Sequence, residues 1–285
     1  MTPSVLWITG ARGLIGSYLL RQAAFLWPQC RVIPVARPET DLTHFAEVAR
    51  RFKEEKPEAV IHTAAMSRSP ACQANPSLAQ LHNVEVTRHL ADLCSEIPLV
   101  FFSSDLVFDG KTAPYSEDAT PNPVMVYGEN KAEAEHVVRQ NSRHLILRTS
   151  INCGHSTVGN RSFNEEMVLA WRSGKTLHLF TDEFRCPIPA LETSRVVLEL
   201  LQRNFTGIVH IAGPDRLSRW EIGQLLAARH SEIQPRMEPA SLSQYTGSPR
   251  PADVSLDCTR IQKLLGRPLA GFRDWVNSDS VWRKT

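Results

Sequence analysis

Paired cysteines, long apolar runs and an excess of charge are all missing from this chain of 285 residues. Its six cysteines are scattered without a Cys-x-x-Cys pair, which favours reduced thiols over disulfides or a zinc site. No apolar run is long enough to span a bilayer, and the first run, residues 5–8, is too short for a signal peptide. The formal net charge of +2 provides no global field toward nucleic acid or a membrane surface. We therefore expect a cytoplasmic protein with no metal site, no nucleic-acid partner and no membrane anchor.

Short apolar runs alternate with amphipathic stretches over the first two-thirds of the chain. The apolar runs predict five strands, over residues 5–9, 31–36, 58–62, 98–103 and 144–149. The stretches between them predict four helices, over residues 14–26, 43–56, 77–97 and 124–140. Apolar strands separated by helices indicate an α/β fold with a doubly wound parallel sheet, whose ligand binds at the carboxyl ends of the strands.

The regular alternation weakens after residue 150, where loops and prolines interrupt the pattern. Residues 207–212 nevertheless have the character of a further strand. We therefore predict a dinucleotide-binding domain over residues 1–152, which residues 188–217 rejoin. A smaller C-terminal substrate lobe is predicted to consist of residues 153–187 and 218–285.

A glycine-rich loop directly follows the first predicted strand and opens the first predicted helix. Gly10, Gly13 and Gly16 occupy it with a Gly-x-x-Gly-x-x-Gly spacing. Small residues are needed where the chain turns, where backbone approaches a pyrophosphate, and where the helix packs on the strand. The helix N-terminus supplies unpaired N–H groups for phosphate. In this position the loop favours a dinucleotide site over a simple glycine turn.

The end of the second predicted strand indicates which dinucleotide is bound. An acidic residue there would bind the ribose hydroxyls of NAD, whereas an arginine accommodates the 2′-phosphate of NADP. This chain has Arg37 at that point and Arg12 in the glycine loop, although either could be a surface residue. The pattern predicts NADP (NADPH) as the cofactor, with NAD as the alternative. Asp41 and Leu42 follow, where they would border the adenine.

Tyr127 and Lys131 lie four residues apart, so on a helix the phenol and the ammonium share one face. A phenol titrates near pH ~10, and a nearby cation stabilises its phenolate. Upstream, a very apolar strand ends in Ser103, Ser104 and Asp105, where an α/β sheet places side chains that face a ligand. These polar residues could instead cap a helix or a turn. Together the pieces predict that Ser104 holds a substrate carbonyl while Tyr127 donates a proton.

These pieces together resemble the extended short-chain dehydrogenase/reductase superfamily, with its Rossmann fold. A longer string is narrower: it runs from Phe102 to Gly110 and continues through Pro114, Glu117, Tyr127-Gly128 and Lys131. This string resembles dTDP-4-dehydrorhamnose reductase and its relatives, which include the regulatory beta subunit of methionine adenosyltransferase. The segment 250–257 with Leu265-Gly266 is similar to the closing motif of the same family. The resemblance covers nearly the whole chain.

The resemblance implies roles for individual residues, in addition to those argued above. The implied catalytic residues are Ser104, Tyr127 and Lys131. The implied cofactor site consists of Gly10, Arg12, Gly13, Leu14, Ile15, Gly16, Arg37, Asp41, Leu42, Ala64, Ala65, Asn83, Ser103, Tyr127 and Lys131. The implied substrate site consists of Ser104, Asp105, Tyr127, Ser150, Asn152, Arg185 and Arg250. Arg148 would border the nicotinamide.

The chain departs from the family mainly on the substrate side. Thr63 stands where the family usually has Asn, Pro70 and Gln73 stand where Asp and Glu are usual, and residues 182–188 also differ. The resemblance implies an NADP-dependent reductase of a nucleotide-linked 4-keto-6-deoxy sugar, with hydride from the nicotinamide and a proton from Tyr127. Two alternatives stay open: an NADP-binding regulatory subunit of a methionine adenosyltransferase, and a nucleotide-sugar epimerase or dehydratase. The sequence also leaves open whether the chain forms a homodimer.

Overall fold

The computed structural model of the protein describes residues 2–278 and has a parallel β-sheet at its centre. The strands, in chain order, are β1 (Val5–Thr9), β2 (Arg31–Val35), β3 (Ala59–His62), β4 (Leu99–Ser104), β5 (Leu145–Thr149), β6 (Asn152–Cys153), β7 (Leu177–Phe180), β8 (Phe184–Arg185), β9 (Ile188–Pro189), β10 (Gly207–Ile211), β11 (Leu217–Ser218) and β12 (Met237–Ala240). The helices are α1 (Leu14–Leu26), α2 (Phe45–Glu55), α3 (Ser69–Ala74), α4 (Pro76–Gln80), α5 (Val86–Leu93), α6 (Val126–Val138), α7 (Phe163–Arg172), α8 (Ala190–Gln202), α9 (Arg219–Arg229), α10 (Thr259–Leu265) and α11 (Phe272–Asn277).

Six strands form the central sheet in the spatial order β10-β5-β4-β3-β1-β2, and every pairing is parallel. The chain reverses its direction of travel across the sheet between β1 and β3. Ligands of doubly wound sheets bind beyond the carboxyl ends of the strands at such a reversal. The predicted fold class is therefore confirmed, and each of the five predicted strands matches an observed one to within one residue at either end.

Both faces of the sheet are covered by helices. Every residue of β3, β4 and β5 is buried, which explains why these segments are almost continuously apolar. Along β1, Leu6 and Ile8 face the core under α1 and α8, while Trp7 faces the core under α2, α5 and α6. This alternation follows from the two-residue period of a strand.

A smaller hydrophobic cluster lies beyond the central sheet. Helices α7, α9 and α11 contribute its large side chains, among them Trp171, Leu226 and Phe272. Three two-stranded ladders, β6–β9, β7–β12 and β8–β11, tie these helices to the end of β5 and to the strand-like segment after α7. The ladders bring residues 180–185 against the carboxyl end of β4.

The predicted helix over residues 77–97 is wrong in detail, because the structure breaks it. Asn75 caps α4, whose first residue is Pro76, and a π-helical turn over Leu81–Glu85 separates α4 from α5. At the centre of that turn Asn83 is bonded to both backbone groups of Met66. The wider turn is where the helix accommodates this bond to the neighbouring loop. The short helix α3 was not predicted.

The six cysteines are all free thiols, in agreement with the prediction from their spacing. Within residues 2–278, no helix is long and apolar enough to cross a bilayer.

Candidate functional site

The glycine loop leaves no room for side chains. Gly10 has φ +65°, and a Cβ there would lie 2.7 Å from the backbone nitrogen of Ala64. A Cβ on Gly16 would lie 2.3 Å from the carbonyl oxygen of Gly10. Gly13 is the N-cap of α1 and offers no side-chain bond to the first N–H groups of the helix. The loop is therefore a tight backbone cradle at the end of β1, with helical N–H groups available to a phosphate.

Substituting Gly10 with Ala tests this cradle. We expect Gly10→Ala to destabilise the fold by more than the roughly 1–2 kcal/mol of a left-handed φ alone, because its Cβ also displaces backbone at Ala64. It should also weaken binding of NADPH. The matched control is Gly266→Ala, since Gly266 has φ +68° with nothing within 4 Å of a Cβ. Thermal unfolding and NADPH titration of both variants check this; equal behaviour would contradict the cradle.

The residues that follow β2 hold a carboxylate that sequence reasoning did not assign. Arg12 donates to Glu39 at 2.7 Å, with both side chains exposed, and Arg37 is exposed beside them. Asp41 accepts bonds from the backbone N–H and the hydroxyl of Thr43, and these bonds lower its pKa. Arg12 therefore already has an anionic partner, with which a bound 2′-phosphate would have to compete.

The predicted residues around β3 line the loop beside the glycines. Thr63 donates its hydroxyl to the carbonyl oxygen of Thr9 at 2.6 Å, and Ala64 lies against Gly10. Asn83 is buried and holds the loop that contains Met66, so it shapes this pocket through the backbone. Three more predicted residues differ in their exposure: Leu14 is buried, Ile15 is half-buried and Ala65 is exposed.

Ser104 and Tyr127 meet at the carboxyl end of β4. The Ser104 hydroxyl accepts the Leu106 N–H at 3.1 Å and contacts Asp105 at 3.1 Å. Tyr127 is buried in a small apolar cluster with Cys72. Burial, reinforced by the charge of Asp105, raises the pKa of the Tyr127 phenol, and a hydrogen bond with Ser104 partly opposes this. At neutral pH the phenol is therefore protonated and can act as an acid.

Lys131 lies one helical turn after Tyr127 and is almost completely buried. Its ammonium nitrogen donates to the carbonyl oxygen of Phe102 at 2.6 Å and lies 4.5 Å from the centre of the Phe101 ring. Burial lowers the pKa of Lys131 to about 7, and the charge of Glu135 limits the decrease. The ammonium is thus held beneath the strand that ends at Ser104.

Ser103 and Arg148 belong to a different group from Ser104, because successive side chains of a strand point to opposite faces. The Ser103 hydroxyl donates to Glu135 at 2.5 Å, and Arg148 binds both oxygens of the same carboxylate at 2.7–3.2 Å. All three side chains are at most 3% exposed. The structure therefore places Ser103 and Arg148 in a buried network beneath Lys131, and does not bring either side chain to the glycine loop.

A buried ion pair occupies the predicted substrate side of the site. Asp105 is fully buried, and both of its oxygens accept bonds from Arg185, one of them from Nε at 2.8 Å. Ser150 accepts the N–H of Cys186 at 3.2 Å. Asn152 bridges the hydroxyls of Thr149 and Thr193, at 3.1 and 2.7 Å. Ser150 and Asn152 thus join β5 to the segment that contains Arg185.

Glu183 forms the centre of a second charged group. It binds Arg250 through two bonds, at 2.5 and 2.9 Å, and Arg219 at 2.9 Å. Although burial opposes ionisation, the two guanidinium groups lower the pKa of Glu183 to about 2. The aromatic rings of Phe180 and Tyr245 flank Arg250 at 5.4 and 6.0 Å. The predicted substrate residue Arg250 is therefore held within a charged and aromatic wall.

Sequence reasoning missed three residues that shape the site. Glu135 follows Lys131 by four residues, so helical periodicity could have placed it on the same face. Glu183 and Arg219 are far apart in the sequence, and no motif links them. Only the pairing of β8 with β11 brings these two side chains together.

The parallel sheet, the glycine loop and the Ser104–Tyr127–Lys131 group together define a Rossmann fold of the extended short-chain dehydrogenase/reductase type. Within that class the assignment is narrower. Residues 4–281 match the RmlD substrate binding domain family, and the chain belongs to that family. The family resemblance predicted from the sequence is confirmed.

Several known proteins are similar to this chain over nearly its whole length. Methionine adenosyltransferase 2 subunit beta from Xenopus laevis is 28% identical, over 98% of this chain and 90% of its own. The dTDP-4-dehydrorhamnose reductase of Sinorhizobium fredii is 28% identical, over 94% of this chain and 93% of its own. The crystal structure of dTDP-4-dehydrorhamnose reductase from Bacillus anthracis in complex with NADP has a TM-score of 0.89 at 21% identity, and the match covers 100% of both chains.

Proposed function

We propose that the protein is an NADPH-dependent reductase of a nucleotide-linked 4-keto-6-deoxy sugar, with dTDP-4-dehydrorhamnose as the first candidate substrate. The observation that carries this proposal is the meeting of Ser104, Tyr127 and Lys131 beside the glycine loop. The reductase from Sinorhizobium fredii and the NADP complex from Bacillus anthracis support the substrate class and the cofactor.

The proposed mechanism follows from the protonation states of the site. The nicotinamide, when bound, supplies a hydride to the substrate carbonyl carbon. The Ser104 hydroxyl donates a hydrogen bond to the carbonyl oxygen, and the protonated phenol of Tyr127 gives its proton to that oxygen as negative charge develops. Lys131 stabilises the resulting phenolate in a site of low dielectric constant.

The charged groups on the substrate side suit a diphosphate. Three guanidinium groups face two carboxylates there, which leaves one net positive charge: Arg185, Arg219 and Arg250 with Asp105 and Glu183. We assign residues 1–152 with residues 188–217 to cofactor binding. Residues 153–187 and 218–285 form the substrate lobe of the proposal. The aromatic pair beside Arg250 would border the nucleoside.

The cofactor preference is tested by removing the guanidinium of the glycine loop. Arg12→Ala should weaken NADPH binding about tenfold or more, because a charge-assisted bond to the 2′-phosphate is lost. NADH, which lacks that phosphate, should bind almost as before. Glu39→Gln should strengthen NADPH binding, because it removes the anion that now pairs with Arg12. Equal losses of NADPH and NADH affinity in Arg12→Ala would contradict the predicted contact.

The reductase proposal as a whole is tested by the oxidation of NADPH with dTDP-4-dehydrorhamnose generated in situ. NADH is run in parallel, and 4-keto-6-deoxy sugars on other nucleotides are the comparison substrates. Turnover that requires the keto sugar would support the proposal. Binding of NADPH without turnover of any of these sugars would contradict it.

A second candidate function is regulatory, and the match to methionine adenosyltransferase 2 subunit beta favours it. That relative is aligned over 98% of this chain, so the likeness is not confined to the cofactor loop. Mixing the purified chain with a methionine adenosyltransferase catalytic subunit, followed by size-exclusion chromatography and assay of that subunit, tests this function. A stable complex with altered adenosyltransferase activity would favour the regulatory function over the reductase.

A further inference from the structure

Tyr127, Lys131 and Glu135 are spaced four residues apart along α6, so the three side chains form one row toward the sheet. Tyr127 lies at the end of the row nearest the substrate side. Glu135 lies at the opposite end, where it accepts bonds from Ser103 and Arg148. Lys131 sits between an acid that must give up a proton and a carboxylate that is completely enclosed.

The bonds of Glu135 fix its position from two strands of the sheet. Ser103 approaches from β4 at 2.5 Å, and Arg148 approaches from β5 with two nitrogens. Arg148 is itself held by the carbonyl oxygen of Glu117 at 3.2 Å and lies over the ring of Phe108. A carboxylate held so firmly cannot move away when the charge of Lys131 changes.

We propose that Glu135 is a positioning residue that keeps Lys131 protonated and aimed at the cofactor side, in addition to pairing with Arg148. This inference rests on the proposed reductase function for its significance, but its physical content concerns only the side chains of this chain. Arg148 has the stronger geometric claim on the carboxylate. The proposal is that the negative charge is shared electrostatically with Lys131, one helical turn away.

The other titratable groups around Lys131 do not supply a negative charge at neutral pH. His62, on β3, is buried between Thr9 and Thr87, and burial together with the charge of Lys131 lowers its pKa to about 3. Burial raises the pKa of the Cys72 thiol on α3, which is therefore protonated. Tyr127 is likewise protonated, and Arg148 is a cation. Among these neighbours, Glu135 alone carries negative charge.

Three variants separate the two roles of Glu135. Glu135→Gln removes the charge but leaves Arg148 buried without a partner, so it could fail to fold. The double variant Glu135→Gln/Arg148→Met removes both charges and avoids that penalty. Arg148→Met alone removes a cation and leaves the carboxylate to Lys131. Electrostatic sharing predicts opposite effects on Lys131 in the last two variants.

The measurement is a pH titration of the free protein labelled with 13C-lysine, with the Lys131 signal assigned through Lys131→Arg. The parent should titrate near pH 7. We expect the acid dissociation constant of Lys131 to rise about tenfold in the double variant, and to fall in Arg148→Met. Neither cofactor nor substrate is needed, so failure of the reductase proposal would not affect this result.

A second readout follows the active protein, in which the pH dependence of kcat/KM should shift in the same direction as the titration. Unchanged titration of Lys131 in both the double variant and Arg148→Met would overturn the proposal. Glu135 would then be only the structural partner of Arg148. If the double variant does not fold, the direction of change in Arg148→Met still decides the matter.

Discussion

Replacing Tyr127 with Phe is expected to lower turnover by about 10²–10⁴-fold, the usual contribution of a positioned acid. The phenol is protonated and buried beside Ser104, so its hydroxyl is the group placed to deliver the proton. The ring itself packs in an apolar cluster, and Phe would retain that packing. Affinity for NADPH should therefore change little. Steady-state kinetics with the keto sugar and a separate NADPH titration check both halves of this prediction.

Tyr18→Phe is the matched control for this experiment. It removes a phenol hydroxyl that accepts the backbone N–H of His155 at 3.2 Å, outside the Ser104–Tyr127–Lys131 group. It should cost about 0.5–1.5 kcal/mol of stability at most and leave turnover nearly intact. Substantial turnover in Tyr127→Phe would mean that another group or a water molecule delivers the proton.

Replacing Asp105 with Asn should lower the free energy of unfolding by about 3–5 kcal/mol, because it leaves the guanidinium of Arg185 buried without a counter-charge. Asp105 is fully buried and Arg185 is 4% exposed, so water cannot replace the lost partner. A loss of this size is a large fraction of the roughly 5–15 kcal/mol that stabilises a typical domain. Chemical denaturation monitored by fluorescence measures it directly.

Two further variants distinguish a broken ion pair from a general packing defect. Asp105→Asn/Arg185→Gln removes both charges and should recover most of the lost stability. Arg50→Ala breaks an exposed pair with Glu47 and Glu54, so it should change the free energy of unfolding by no more than about 1 kcal/mol. A double variant as unstable as Asp105→Asn would show that the shape of Asp105, and not its charge, is what matters.

The features that the sequence predicts are those with a local physical cause. The strands follow from apolar runs that are buried on both faces. The glycine loop follows from backbone crowding that admits no Cβ, as at Gly10 and Gly16. The pairing of Tyr127 with Lys131 follows from the period of a helix. Each of these signals lies within a short stretch of chain, so the sequence alone is enough to find it.

The features that escaped prediction depend on long-range geometry. Glu183 gains its partners Arg219 and Arg250 only after β8, β11 and the C-terminal segment converge. The break in the helix over residues 77–97 depends on a loop 17 residues upstream, to which Asn83 bonds. The orientation of Ser103 away from Ser104 is different, because the two-residue period of a strand contains that information.

The burial of Lys131 makes this position a point of local frustration in the fold. Its pKa is about 7 in the folded protein and ~10.4 in an unfolded chain, so between those values the unfolded state binds more protons. Stability at this position therefore rises with pH across that window, and the full penalty is present below it. Chemistry needs the charge that the fold resists. Selection for thermal stability alone would tend to replace this lysine, and the gain in stability and the loss of catalysis would come from the same substitution.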